Sequence, residues 1–385
     1  ANQNFPNAQH ILAQHYFMQD NEIQNIKKGL YYETLAAEQN FADAQFHLGK
    51  IYIEGKYVLQ NVNKGMNFLQ LAANQNHKYA KTFLGTIYFD GIYVKRDIKK
   101  TLYYCSDKSI PENTFMIGSI YLFGIDTPHD VDKAIYYFEI GAKKNYQYAQ
   151  YYLGTIYLDK TDIHYDFKKG FHIMQLLAEQ NFSHACFFIG RIYYTGNEYI
   201  KQNRKKAIFY YECAANGNDS IAQFNLGSIY QSGIDVPQNM NKSLYYYSLS
   251  AAQNNPHAQY ALGLLYSNGR IPRNISKAIN YYLLASEQNI VLAQVNLALI
   301  YHEGIYVKRD IQRAIHFYKL ASCFNNNVAK NNLGVIYRFG IEVKSNYYMA
   351  MEYFNEAIKQ KNDILSKFNL AHIYFYEEMD KKLDD

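Results

Sequence analysis

The feature that most constrains this chain is its self-similarity: a segment typified by Ala44 to Tyr79 recurs about ten times, end to end and in register. A small residue returns as Ala13, Gly49, Gly85, Gly118, Gly154, Gly190, Gly227, Gly263, Ala298, Gly334 and Ala371, at steps of 33 to 37 residues and usually 36. Three residues after each stands a tyrosine, from Tyr16 and Tyr52 through Tyr337 and Tyr374. Within the unit, Ala44, Leu48, Ile51 and Tyr52 fall on one face at 3.6 residues per turn, and Gly65, Leu69, Ala72 and Ala73 repeat that spacing. The unit therefore reads as two short helices, neither of which can bury its stripe without neighbours.

Punctuation between the helices is equally regular. Asn or Asp precedes each second helix, as Asn25, Asn61, Asp97, Asp130, Asp166, Asn203, Asn239, Asn274, Asp310 and Asn346, where a side-chain oxygen can take up an orphan amide. Most second helices run out at an asparagine: Asn40, Asn76, Asn145, Asn181, Asn218, Asn254 and Asn289. That residue tolerates the left-handed backbone at which a helix stops and turns.

A chain of 385 residues would ordinarily split into two or three globular domains. An array escapes this limit because each unit touches only its neighbours, so residues 1–385 are expected to form one elongated domain. Charge is balanced, 39 Lys and Arg against 34 Asp and Glu, and does not by itself point to nucleic acid. Cys105, Cys186, Cys213 and Cys323 occupy different repeat positions with neither a CxxC nor a regular pairing, and so read as free thiols of a reduced compartment. No apolar run of 18 residues suggests a membrane span. The expected location is the cytoplasm, or the secretory-pathway lumen if a signal peptide precedes the chain. Ala1-Asn2-Gln3-Asn4 matches the end of a second helix, Ala73-Asn74-Gln75-Asn76, so the chain is expected to begin inside a repeat with more sequence upstream.

Departures from the pattern are local. The first repeat has Gln19 in place of the inter-helix glycine. The third reads Cys105-Ser106-Asp107-Lys108-Ser109-Ile110-Pro111 after its aromatic pair; three residues are lost, and Pro111 is expected to end the helix early, changing the local pitch. Lys160 replaces a turn glycine, and an extra loop residue falls near Asn197-Glu198. The last start, near 366–385, is one helix followed by Glu377, Glu378, Asp380, Lys381, Lys382, Asp384 and Asp385, which resembles a polar cap.

The pattern A-x-x-x-L-G-x-x-Y-x-x-G, an Asp or Asn cap, K-A-x-x-Y-Y and A-A resembles the Sel1-like repeat family, a relative of the tetratricopeptide repeat. Ala222 to Gly233 and Lys277 to Ala285 carry it most fully, and the match covers essentially the whole chain. The resemblance implies an all-α fold, a right-handed α-solenoid superhelix of about ten helix-turn-helix repeats. It also implies an adaptor that gathers partner proteins, with no catalytic residues and no cofactor to carry over. A secreted branch of the family pairs cysteines in each repeat, a feature this sequence lacks.

A search for chemistry is nearly empty: no phosphate loop, HExxH, GxSxG or EF-hand pattern is present, and the 12 histidines scatter over repeat positions. Asn181, Asn218, Asn241 and Asn274 open Asn-x-Ser sequons, which chance accounts for in a chain this rich in Asn. Binding surface is more informative. Two residues before the recurring glycine the sequence reads His47, Phe83, Met116, Tyr152, Phe188, then Asn225, Ala261, Asn296, Asn332, Asn369. If first helices line the inner face, Asn225, Asn296, Asn332 and Asn369 form an amide ladder for an extended peptide. Tyr152, Phe188 and Tyr194 then supply an apolar anchor. Lys95, Arg96, Lys168, Lys169, Arg204, Lys205, Lys206, Lys308 and Arg309 mark a basic edge suited to an acidic surface. Cations at helix starts oppose the dipole, so this edge is not there for helix stability.

The sequence thus reads as a non-enzymatic scaffold. Its alternatives are a regulatory array of a larger signalling protein, such as a kinase-linked one, or a structural component of a cytoskeletal assembly. An RNA reader fits least.

Overall fold

A computed structural model of the chain describes residues 5–19, 23–361 and 363–383, with side chains at all of these except 360, 361 and 376–383. The Ala1–Asn4 match and the side chains of the polar end from Glu377 to Asp385 lie outside the described residues. All regular structure within them is helical, and it falls into two compact units, Ala1–Leu177 and Ala178–Asp385.

The first unit holds α1 (Pro6–Met18), α2 (Ile23–Glu38), α3 (Ala42–Glu54), α4 (Val62–Asn74), α5 (Lys78–Asp90), α6 (Ile98–Tyr104), α7 (Pro111–Phe123), α8 (Val131–Lys143), α9 (Gln147–Leu158) and most of α10 (Phe167–Glu179). The second holds α11 (Ser183–Thr195), α12 (Arg204–Asn216), α13 (Ser220–Ser232), α14 (Met240–Ala252), α15 (Pro256–Asn268), α16 (Ile275–Glu287), α17 (Val291–Glu303), α18 (Ile311–Cys323), α19 (Asn327–Phe339), α20 (Tyr347–Lys361) and α21 (Ile364–Leu383). Each unit is an α-solenoid in which a helix packs on its hairpin partner and on the next hairpin.

The apolar stripes go where their spacing puts them. Ala44, Leu48 and Ile51 of α3 are buried, as are Gly65, Leu69, Ala72 and Ala73 of α4. The recurring glycine of the first helix is there for close approach. A Cβ on Gly227 would stand 2.5 Å from the Tyr247 ring, and one on Gly118 would stand 2.6 Å from Phe138. A column of bulky side chains on the second helices thus seats directly against the bare backbone of the first: Leu69, Phe138, Tyr211, Tyr247 and Phe354 occupy it.

The recurring tyrosine joins loop and helices. Its carbonyl accepts the amide of the coming cap residue, as from Asn61 to Tyr52 at 2.9 Å and from Asn239 to Tyr230 at 2.9 Å. Its ring stacks on an aromatic of the second helix, with Tyr52 on Phe68 at 6.1 Å and Tyr266 on Tyr281 at 6.0 Å between centroids. The basic residue three after the cap lies against the same ring and donates to its hydroxyl: Lys64 Nζ is 4.3 Å from the Tyr52 centroid and 2.7 Å from its oxygen, and Lys169 Nζ is 3.9 Å from the Tyr157 centroid and 2.6 Å from its oxygen. Each such contact is worth about 0.5–1 kcal/mol at an exposed site.

The caps form as the sequence predicts at Asn61, Asp97, Asp130, Asn203, Asn239, Asn274 and Asp310, and also at Asp166 and Asn346. Asn274→Ala should therefore cost about 1 kcal/mol, read as a lower denaturant midpoint for the second unit; an unchanged midpoint would contradict the cap's role. Asn25 departs from the expectation: α2 is already helical at Ile23, so this residue lies inside the first turn rather than ahead of it. Every predicted Asn stop adopts positive φ, between 57° and 65°, and Asn325 joins them at 61°.

Two further readings are corrected. Pro111 does not end the third repeat's second helix. The seven-residue α6 stops at Cys105, and Pro111 instead opens α7 at its first position, where the missing amide is no loss. The cysteines are not all free, since Cys186 of α11 and Cys213 of α12 form a disulfide across one hairpin, with Cα atoms 6.0 Å apart. Their spacing of 27 residues does not look like a motif, but the hairpin brings the two helix faces together there. Cys105 and Cys323 are free; burial raises the Cys105 thiol pKa to about 12.

Candidate functional site

The side chains two before the recurring glycine form a row in each unit, half-buried except at Ala261, which is buried. In the first unit, Tyr152 of α9 packs among rings, with Phe115 and Phe138 centroids at 5.5 Å and 5.8 Å. In the second, Phe188 lies under Arg191, whose guanidinium carbon is 5.1 Å from the ring centre. The amides of the ladder are in part already engaged. The Asn332 side-chain N–H donates to the Tyr318 hydroxyl at 3.1 Å, and the Asn369 N–H to Asn331 Oδ1 at 2.9 Å. Burial raises the Tyr260 and Tyr282 phenol pKa values, an effect that Asn296 nearby partly offsets. Asn225 is half-buried and has no hydrogen bond among the described residues.

The Tyr318 hydroxyl belongs to the second-helix column of bulky buried side chains, so the half-buried Asn332 amide is held in place by a core tyrosine. Burial pushes the Tyr282 phenol up to about 12 and raises that of Tyr318 further, which keeps both as neutral hydroxyls over the physiological range. An amide carries two N–H donors and one acceptor oxygen; after one bond to a tyrosine, Asn332 retains capacity to pair with a peptide backbone.

The basic edge is not uniform. Lys169 and Lys206 lie over the Tyr157 and Tyr193 rings, a stabilising contact that the reading of the edge as serving no helix stability leaves out. Ring contact offsets their unfavourable interaction with the helix dipole. Arg204, from the edge set, and Tyr194, from the anchor set, come together: the guanidinium carbon sits 4.1 Å from the ring centre while Nη1 pairs with Asp235 at 2.8 Å. Lys168 and Lys205 are exposed, as are Lys95, Arg96, Lys308 and Arg309.

Sequence reasoning missed one cluster. Glu33 of α2 is fully buried, with His10 Nδ1 at 3.0 Å and His47 Nδ1 at 2.8 Å from the same carboxyl oxygen. The hydrogen bond to Glu33 raises the His10 pKa above its ordinary value, against the opposing effect of burial. A signal was available, because Glu33 occupies the column that holds Leu69, Phe138 and Tyr282 elsewhere. Among the described residues, no group of three or more His, Cys, Asp or Glu is placed to hold a metal ion, and no helix is long and apolar enough to cross a membrane.

The family model described as the Sel1 repeat matches ten segments: residues 6–41, 42–77, 78–106, 114–146, 147–182, 183–219, 220–255, 256–290, 291–323 and 327–362. Among solved structures, a protective antigen of uropathogenic Escherichia coli strains displaying an SLR fold aligns with a TM-score of 0.59 at 23% identity. That alignment covers 96% of this chain and 87% of the other. A Sel1 repeat protein from Oxalobacter formigenes aligns with a TM-score of 0.55 at 28% identity, over 63% of this chain and 99% of its own. No curated protein sequence matches the chain.

Proposed function

The chain belongs to the Sel1 repeat family, and on that premise we propose that it is a non-enzymatic scaffold that holds partner proteins along the first-helix row and the basic edge. Sel1 repeat proteins are protein-interaction scaffolds, and the repeat itself is a non-catalytic fold. The observation that carries the finer reading is the row itself. Half-buried amide and aromatic side chains recur along it at the hairpin period, interrupted by Met116 and Ala261, and this spacing suits an extended segment contacted at intervals of several residues. Asn225, Asn296 and Asn332 supply paired donors and acceptors for such a segment, and Phe188 with Tyr194 supplies apolar surface beside them.

The test is affinity capture with quantitative mass spectrometry, followed by titration of the captured partner against Asn296→Ala and Asn332→Ala. Each substitution is expected to weaken binding about fivefold, the effect of one lost hydrogen bond. Unchanged partner affinity in the double variant would rule out the amide row as the contact.

A further inference from the structure

Two loops of this chain are the same loop. Gly91–Ile98 and Gly304–Ile311 share the identical eight-residue sequence Gly-Ile-Tyr-Val-Lys-Arg-Asp-Ile, and no other inter-helix loop carries a dibasic pair ahead of its cap. The structure builds them alike. Gly91 and Gly304 stand at φ of 69° and 67°, and the arginine backbone packs back across each glycine. The cap amides of Asp97 and Asp310 each donate 3.0 Å to the carbonyls of Tyr88 and Tyr301.

Each loop opens an equivalent recess, one of about 670 Å³ in the first unit and one of about 550 Å³ in the second. Lys95, Arg96 and Lys99 line the first; Lys308, Arg309 and Arg313 line the second; Tyr88 and Tyr301 contribute a ring to each. Across each recess stands one carboxylate from the next repeat, Asp126 or Glu342. Glu342 Oε1 is 3.6 Å from Arg309 Nε, whereas Lys95, Lys99 and Lys308 are exposed and make no ion pair among the described residues. The Asp97 and Asp310 side chains already accept the amides of Lys100 and Arg313, so an incoming anion is met by side chains.

We propose that these recesses are two separate sites for acidic segments of a partner protein, each taking Asp or Glu carboxylates between its lysine and arginine. This assignment rests on the scaffold reading and names the class of partner. Arg and Lys together suit a carboxylate, the first as a planar fork and the second as a point charge. The facing carboxylate selects against a dense polyanion, which it repels, and accepts a donor such as a peptide N–H.

The test uses the full chain and a fluorescein-labelled peptide of alternating Glu and Gly, read by anisotropy and by calorimetric stoichiometry. Two peptides per chain are expected, with binding that weakens as salt rises. Lys95→Glu and Lys308→Glu, both at exposed and unpaired positions, should each weaken one site about three- to tenfold, and together should reduce both. Asp126→Asn and Glu342→Gln should tighten binding, a gain that misfolding does not produce. Affinity unchanged in the Lys95→Glu/Lys308→Glu variant would overturn the proposal, as would tighter binding of oligouridine RNA lost through the same substitutions. If peptide affinity is unchanged in that variant while the wild-type chain captures protein partners, only the pocket assignment falls; if the wild-type chain captures none, the scaffold reading falls too.

Discussion

Phe138→Ala is expected to destabilise the α7–α9 region by about 3–5 kcal/mol, the range for emptying a fully buried aromatic site. Phe138 has no exposed surface and rests on the bare backbone of Gly118, with Phe115 and Tyr152 against its ring. The neighbouring helices cannot close the gap cheaply, because each is also clamped by the next hairpin. Phe138→Leu should cost less, about 1–1.5 kcal/mol, since Leu69 fills the same column in the second repeat. Hydrogen exchange is the measurement of choice, because an array unfolds regionally and a single global midpoint blurs the effect. Undiminished amide protection in α7 to α9 of the alanine variant would show that the column does not hold the hairpin together.

The second large effect concerns Glu33. Replacing His10 and His47 together by leucine leaves its carboxyl buried without either partner, at a cost of about 3–5 kcal/mol. Adding Glu33→Leu should restore most of that loss, because the site then matches the apolar column of the other repeats. The pH dependence has a definite sign. The His10 pKa is raised in the folded chain by its hydrogen bond to Glu33, so protonated His10 contributes stability that is fully present below the ordinary value of 6.5. That contribution is lost as pH rises through the higher folded value. The stability gap between wild type and His10→Gln should therefore be widest in acid and narrow as pH increases. Urea melts from mildly acidic to alkaline pH measure it, and a gap that widens with pH would refute the assignment.

Much of the architecture could be read before any coordinates. Period, cap, stop and stripe each come from local backbone chemistry, and they agreed on a helical hairpin repeated about ten times. The failures were also physical. Asn25 has the right residue type, but helix α2 starts ahead of it, and Pro111 can begin a helix as readily as follow one. The candidate site was legible only as a list of positions. Sequence placed Arg204 and Tyr194 in separate proposals, whereas the fold stacks one on the other. It placed Lys169 and Lys206 on the basic edge, and the fold sets both over tyrosine rings as well.

By itself, then, the sequence determined the repeat, its helices and its membership, because hydrophobic spacing and turn chemistry act within a few residues and recur without change. Tertiary structure decided which charges remain free, which cysteines meet and which amides are tied to core tyrosines. Those outcomes depend on distances between side chains well separated in sequence, 12 positions for Lys169 and Tyr157 and 27 for the two cysteines, and packing of helix on helix, within a hairpin and between hairpins, sets them.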